Sequence, residues 1–425
     1  MLSIAAVRRS TLPTAVARPP LHYPAWPELL KAIPFTLTAE QHNGITQLIE
    51  RLAAPHTSST LINGDVGMGK SILYQVALAM TAKAGGRGAV LLPNERLAQQ
   101  AHGEIQALWP ELSPLLVNKK TRHDVRDARI LVGTTALLFR DIGALDVCVT
   151  DEQHRFSVEQ RVALAQQQTH LIEMSATPIP RTQAILTYGN LNVIRLTQRH
   201  SAQAIDTQIV QRAQTWSMVE HIQARIALGD RVLIVCPRKM AAEADDTDEA
   251  PLPLPSVDEV AAKWEKLFPG RIRTLHSDTP EEAAQVALSD IRQGRADVIV
   301  ATTVLECGLT IEGLRALIVV HAERFGVAQL HQLRGRLSRQ GGYGVCYLYL
   351  PRPVGERSMA RLRAVASTND GFKLSELDMT LRGFGDLTEA GQRQHGSVAG
   401  FFFNKTVSLP CFEQMLAKVA EQHSG

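Results

Sequence analysis

The sequence predicts an α/β fold, two parallel-sheet domains in tandem followed by a small helical extension. Three observations carry this. From about residue 35, short β-branched runs alternate with longer Ala- and Gln-rich stretches. Several runs, such as VLIVC at 232–236 and LIVV at 317–320, are apolar without interruption, as central strands are when helices cover both faces of a parallel sheet. A glycine-rich loop also separates one such strand from the helix that follows it, which is a βα unit in itself.

In the first half the strand candidates are 59–63, 88–94, 128–134, 145–151 and 169–175. In the second half they are 231–237, 271–276, 297–303, 316–321 and 345–350. Each βα set is about one domain long. The join falls near 197–208. The expected divisions are an N-terminal arm (1–34), a first domain (35–198), a second domain (199–350) and a helical piece with Gly-rich turns (351–425). The acidic, Pro-rich stretch 241–258 reads as an exposed loop inside the second domain.

Composition excludes some classes. A chain of 425 residues, 45% hydrophobic, is neither disordered nor fibrous. Its 45 Lys and Arg against 42 Asp and Glu exclude a histone-like excess of charge, but leave room for a local basic track. With 5% aromatics, binding of single strands mainly by stacking is not expected. Cys148, Cys236, Cys307, Cys346 and Cys411 form no CxxC pair, which excludes the usual zinc and iron–sulfur spacings and suits a reducing cytosol. Cys148, Cys236 and Cys346 sit in apolar runs and read as core residues. No run reaches the roughly 18–20 apolar residues of a membrane span. A cytoplasmic location without a membrane partner is expected. The first 27 residues carry Arg8, Arg9 and Arg18 with no acid before Glu28; a disordered arm and an organellar transit peptide both look like this.

The chemistry is concentrated in four motifs. Gly64, Asp65, Gly67, Gly69, Lys70 and Ser71 lie in GDVGMGKS, a GxxxxGK[ST] loop between a strand and a helix. Such glycines let backbone N–H groups wrap phosphates at a helix N-terminus. Lys70 would reach the β- and γ-phosphates, and Ser71 would ligate Mg2+. In LDVCVTDEQH, an apolar strand ends in Asp151 and Glu152. Asp151 would hold Mg2+, and Glu152 would orient and deprotonate the attacking water. Ser175 and Thr177 in MSATP are small hydroxyl donors placed to sense the phosphates. In QLRGRLSR, Arg336 and Arg339 are three apart and expected on one helix face, suited to the γ-phosphate.

GDVGMGKS, DEQHRF, MSATPIPRT, ATTVLECGLTI, AERFGVAQLHQLRGRLSR, and ELDMTLRGFGD with GQRQHG together resemble the superfamily-two motor of the RecG family of bacterial DNA helicases. The resemblance runs from about residue 35 to 398. It implies two RecA-like domains, ATP and Mg2+ as cofactors, double-stranded or branched DNA as partner, a monomer, and a role in DNA recombination and repair. Gln41 is then the adenine-sensing glutamine, with Gln332 a further nucleotide contact. Asn94, Gly133 and Thr134, and in the second domain His276, Thr302 and Thr303, are implied DNA-backbone contacts. Gln153 and His154 are implied couplers of the ATP and DNA sites. Arg382, Arg393 and Gln394 match the tail that converts domain closure into movement along duplex DNA. The family's wedge domain has no room before residue 35, so a wedge-less translocase is expected, with a partner protein supplying DNA-structure recognition. Two departures from the pattern stand out: Met68 replaces a small residue and is expected to point out of the phosphate cradle, and Ser157 stands where Gly follows HRF. Two alternatives are a ComFA- or PriA-type helicase of DNA uptake or replication restart, and a non-hydrolysing DNA-binding adaptor. The missing zinc cysteines count against the first. Retention of Lys70, Asp151, Glu152, Arg336 and Arg339 counts against the second.

Overall fold

The structure, a computed structural model, describes residues 16–122, 124–152, 156, 160, 164, 168–175, 192–198, 203–237, 254–276, 279–302, 311–338, 341–382, 400–402 and 405–407. The chain divides into two compact units, 1–200 and 201–425.

The first unit is a seven-stranded sheet. Its strands are β1 (Ser59–Gly64), β2 (Gly88–Leu91), β3 (Leu115–Val117), β4 (Ile130–Gly133), β5 (Val147–Thr150), β6 (His170–Ser175) and β7 (Asn192–Leu196), in spatial order β3-β4-β2-β5-β6-β1-β7. Every pairing is parallel. Helices α1 (Ala39–Leu52), α2 (Ser71–Lys83) and α3 (Glu95–Leu108) belong to the same unit. α2 is buried without a break from Ile72 to Thr81, so it has no polar face to offer water and forms the centre of the core. α1 starts at a capping box, Thr38 with Gln41.

The second unit carries six parallel strands: β8 (Gln203–Gln211), β9 (Arg231–Cys236), β10 (Ile272–Leu275), β11 (Val298–Thr302), β12 (Leu314–Val320) and β13 (Gly342–Leu350), ordered β10-β11-β9-β12-β13-β8. Its helices are α4 (Thr215–Ala227), α5 (Val257–Glu265), α6 (Glu281–Arg292), α7 (Val327–Arg334), α8 (Glu356–Ser367) and α9 (Gly371–Arg382). Alternate residues of the central strands feed two separate apolar layers. Leu233, Val235, Leu317 and Val319 pack with α6 to α9, and Val232, Ile234, Ala316 and Ile318 with α4 and α5. Period-two side chains and helices on both faces are what the uninterrupted apolar runs require.

The expected fold class holds. The ten strand candidates all form strands, most trimmed by a residue or more at their ends. The strands of the two sheets that the sequence reading missed, β3, β7 and β8, are three of their four edges; the fourth, β10, was read. Edge strands face water, so their sequences lose the continuous apolar signature; β8 reads QAIDTQIVQ. Two further expectations change. Leu362, Val365 and Leu374 of α8 and α9 lie in the core of the second unit, so these helices are not a separate body after residue 350. The helical tail also includes a short antiparallel ribbon, β14 (Gly400–Phe402) with β15 (Lys405–Val407).

The N-terminal arm is corrected in one respect. From residue 16 it is an ordered part of the first unit rather than a disordered arm. Thr57 N donates to Val16 O, and Val16 N donates to Thr57 Oγ1, both at 2.9 Å. Leu21 and Leu29 enter the core, and Trp109 Nε1 donates to Leu29 O at 3.2 Å. Arg18 is buried beneath the sheet. Its guanidinium pairs with Asp146 Oδ1 at 2.6 Å and donates to the carbonyls of Asp146 (2.9 Å) and Gln168 (2.7 Å). Cleavage after residue 27 would remove Val16, Arg18 and Leu21. Arg18→Ala takes one donor each from the Asp146 and Gln168 carbonyls and from the Asp146 carboxylate, while His170 N and Arg87 N still serve Asp146; it is expected to destabilise the chain by about 1–3 kcal/mol, read as a lower denaturant midpoint at unchanged slope.

Beside Arg18 lies His170, fully buried. Its Nδ1 faces Ser58 N at 3.1 Å and Ser58 Oγ at 2.9 Å, so Nδ1 acts as acceptor in a neutral ring. Burial, and then the charge of Arg18, hold its pKa down at about 4. The unfolded chain therefore binds the proton first. The stability due to a neutral His170 is complete above about pH 6.5 and is lost as pH falls towards 4. Melting temperature followed from pH 7 to pH 4 should drop less steeply in His170→Gln than in the parent chain.

Candidate active site

In an all-parallel sheet the carboxyl ends of the strands gather at one edge, where ligands bind. At that edge of the first unit, β5, β6 and β1 are consecutive, with Asn63 paired to Ser175 and Thr150 to Glu173. Three expected site segments therefore emerge together: the loop after Gly64, Ser175 at the end of β6, and Asp151–Glu152 just past β5.

The loop runs from Gly64 to Lys70, and Ser71 opens α2. Gly67 and Gly69 have φ of +81° and +66°, values that glycine adopts without strain. Asp65 is buried, and its Oδ1 accepts from Val66 N at 2.6 Å. Lys70 Nζ turns back to donate to Gly64 O (2.7 Å) and Asp65 O (2.9 Å). Burial lowers the Lys70 pKa, while Glu152, Asp151 and Asp65 oppose that shift. Asp151 is pushed up to about 7, first by burial and then by the charge of Glu152, with Lys70 opposing. Glu152 has φ +52°; a non-glycine residue there costs on the order of 1–2 kcal/mol. Its N–H donates to Asp151 Oδ1 at 2.9 Å, which orients that carboxylate. The result is an ammonium held by two loop carbonyls at a helix N-terminus, in the field of Asp65, Asp151 and Glu152, a place suited to a polyphosphate with a divalent cation. Ser71 is exposed at the first turn. With Asp151 it offers the hard oxygen donors that Mg2+ takes from a protein, the remainder coming from water and phosphate.

Two residues of this site behave differently from expectation. Met68 is not exposed on the loop surface: its side chain is buried among the apolar core of the first unit. Gln41 uses its whole amide inside the protein. Oε1 accepts from Thr38 N (3.0 Å), and Nε2 donates to Met68 O (3.0 Å) and Gly69 O (3.3 Å). It therefore ties the start of α1 to the phosphate loop.

The expected DNA-contact positions of the first unit are also placed at strand ends, each with a structural task. Asn94 caps α3, its Oδ1 accepting from Leu97 N at 2.9 Å. Thr134 Oγ1 faces Ala136 N at 3.5 Å. Gly133 is close-packed: a Cβ there would come within 2.6 Å of Val117 O and 2.9 Å of Leu137 Cγ. Gly133→Ala must push β3 aside and is expected to destabilise the unit by about 1–3 kcal/mol, measured by chemical denaturation.

In the second unit, His276 follows β10, its N–H donating to Thr279 Oγ1 at 3.0 Å. Thr302 ends β11. Gln332 is half-buried on α7. The expectation that Arg336 and Arg339 share a helix face fails: α7 ends at Arg334 with Gly335 as its cap, and buried Arg336 lies in the following turn. Ser338 closes that turn with φ +50°, donating from its N–H to Leu314 O and from Oγ to Tyr343 O. Sequence reasoning missed Arg334. It is 1% exposed, donates to Val365 O of α8 at 2.6 Å and contacts His331 Nδ1 at 2.9 Å. Only its place in the QLRGRLSR run could have signalled it. Arg361 of α8 reaches back to Glu323 O at 2.8 Å, so α8 is fastened to the end of α7 by Arg334 and to the turn after β12 by Arg361. Gln153, His154, Ser157, Thr177, Thr303, Arg339, Arg393 and Gln394 lie outside the described residues, and of Arg382 only its place at the end of α9 is described. Cys148, Cys236 and Cys346 are buried free thiols, each pushed up to about 12 by burial. Among the described residues no helix is long and apolar enough to cross a membrane, and no three His, Cys, Asp or Glu side chains cluster as a metal site.

The comparisons with known proteins agree with this geometry. A DEAD/DEAH box helicase family model matches residues 38–185, and a helicase conserved C-terminal domain model matches 214–341. The ATP-dependent DNA helicase RecG of Bacillus subtilis is 31% identical over 386 residues, covering 86% of this chain and 55% of that protein. RecG of Mycobacterium tuberculosis is 34% identical over 411 residues, with 87% and 55% covered. The chain carries both helicase domains and is similar to the RecG helicases. A solved structure of RecG bound to a three-way DNA junction superposes with a TM-score of 0.71 at 25% identity, covering 98% of this chain and 54% of that one. Yeast Dbp5 bound to RNA and ADP BeF3 (TM-score 0.55, 16% identity, 85% and 94% covered) shares the fold. The chain spans about half the length of the curated RecG relatives it matches.

Proposed function

We propose that this chain hydrolyses ATP to move along double-stranded DNA, remodelling branched DNA or displacing bound strands in recombination and repair. The observation that carries the reading is the half-buried Lys70 ammonium, donating to the carbonyls of Gly64 and Asp65 in a glycine loop at the carboxyl edge of β1, β6 and β5, where Asp151 and Glu152 also emerge. The RecG likeness, which includes a relative solved on a three-way junction, favours branched DNA over RNA. A single chain is taken as the working unit, with a partner protein supplying recognition of DNA structure.

In this reading the γ-phosphate displaces the carbonyls of Gly64 and Asp65 from Lys70 Nζ, so the ammonium gains a charged acceptor in place of two neutral ones. The N–H groups of the loop and of the first turn of α2 face the phosphates. Mg2+ held by Ser71 and Asp151 would neutralise phosphate charge. Glu152, held in its left-handed conformation next to Asp151, takes the proton of the attacking water. Gln41 reports on the adenine by exchanging its bond to the Met68 carbonyl. Gln332 adds a contact to nucleotide, and Arg336 and Arg339 stabilise the charge developing on the γ-phosphate. Asn94, Gly133, Thr134, His276, Thr302 and Thr303 present N–H groups and short hydroxyls to the DNA backbone, contacts that carry no base specificity. Gln153, His154, Ser175 and Thr177 pass the state of the phosphates to those contacts, and Arg382, Arg393 and Gln394 engage the duplex.

Two variants separate binding from chemistry. Glu152→Gln should keep ATP affinity while turnover falls at least about 100-fold, and Lys70→Ala should lose ATP affinity itself. Fluorescent-nucleotide titration and phosphate release read the two effects; DNA-stimulated turnover surviving in either variant contradicts the assignment.

A further inference from the structure

Phe139 is 85% exposed, the highest value among the large apolar side chains of either unit. It ends the short 3-10 turn Thr135–Phe139 that follows β4. The turn is well anchored, since Leu137 is fully buried and Leu138 packs against the same cluster. The ring is thus held out by a fixed support.

Its neighbourhood is cationic. β3, β4 and β2 are adjacent, so the segments after them leave the sheet at one edge. The segment after β3 is a rigid turn: Asn118 Oδ1 accepts from Lys120 N (2.9 Å) and Thr121 N (3.1 Å). It presents Lys119, Lys120 and Arg122, all exposed and without an ion pair to the described residues. Two side-chain bonds lace it to its neighbours. Arg140 donates to Asn118 O at 3.1 Å, fastening the Phe139 turn, and Asn118 Nδ2 donates to Glu95 Oε1 at 3.0 Å, fastening the start of α3. Asn94 and Thr134, the positions assigned above to the DNA backbone, belong to the two flanking segments. An apolar protein partner would need a contiguous patch of a few hundred Å2, whereas the only other exposed large apolar residue described in this unit is Phe35. A lone aromatic among cations suits a nucleobase whose phosphates the cations hold.

We infer that Phe139 is a stacking platform for an unpaired base, with Lys119, Lys120 and Arg122 holding the flanking phosphates, so that the first unit grips single-stranded nucleic acid as well as duplex. The inference rests on the proposed function and names the form of DNA that this surface takes. A base leaving a branch point would find a π-face here, and stacking tolerates any base.

The test uses the full chain and compares anisotropy titrations on labelled oligodeoxythymidine and on a blunt duplex of equal length. Phe139→Ala should weaken oligodeoxythymidine binding about tenfold with duplex affinity unchanged. Phe139→Trp should keep the parent affinity, and Phe139→Leu should behave like Phe139→Ala. An unchanged oligodeoxythymidine affinity in Phe139→Ala, an equal loss on both ligands, or full retention by Phe139→Leu would overturn the inference. So would a parent chain that binds duplex alone. If the parent chain binds neither ligand and neither stimulates ATP turnover, the motor reading itself has failed, a result distinct from all of these.

Discussion

The site depends on one electrostatic arrangement: an ammonium held by the carbonyls of Gly64 and Asp65 in the field of carboxylates that the sheet brings to the same edge. Lys70 pays a desolvation cost that Asp65, Asp151 and Glu152 offset, and Asp151 in turn is raised by burial and by Glu152. Neither charge is comfortable alone. A site poised in this way gains from a ligand carrying both signs, such as a polyphosphate with its cation, because each component relieves one member of the set. Parallel β5, β6 and β1 make the arrangement possible, and the buried α2 holds the loop against them.

Around that centre, much of the apparent motif inventory has a mechanical role. Gln41 binds helix to loop, Asn94 and Thr134 cap the segments they begin, and Gly133 is small because Val117 O leaves no room for a Cβ. Such positions can contact DNA through the backbone groups and hydroxyls they hold in place, and their rigidity sets where those groups point. In the second unit the same economy appears in Arg334, which joins the end of α7 to α8, and in Arg361, which joins α8 to the turn after β12.

The fold was legible wherever chemistry or burial left a repeating mark. Central strands such as Arg231–Cys236 are apolar on both faces, and the phosphate loop must carry glycines at Gly67 and Gly69, where φ is positive. Asp151–Glu152 could be read because an acidic pair closes an apolar strand. Edge strands β3, β7 and β8 were not legible, since half-solvated strands look like loops. Arg18 was read as one charge in a basic arm. Its burial depends on Asp146 and Gln168, more than a hundred residues away, and no local pattern encodes such a contact. Arg336 was assigned to a helix face by spacing alone, and Gly335, a residue that ends helices, was the sign that the helix stops first.

The central claim is that the phosphate site of the first unit is driven by duplex and branched DNA. Steady-state ATP turnover of the intact chain on blunt duplex, forked duplex, single-stranded DNA and RNA, at equal nucleotide concentration, tests it most directly. The account predicts strong stimulation by duplex and forked DNA and little by RNA. Turnover that is indifferent to nucleic acid, or raised by RNA alone, would contradict it.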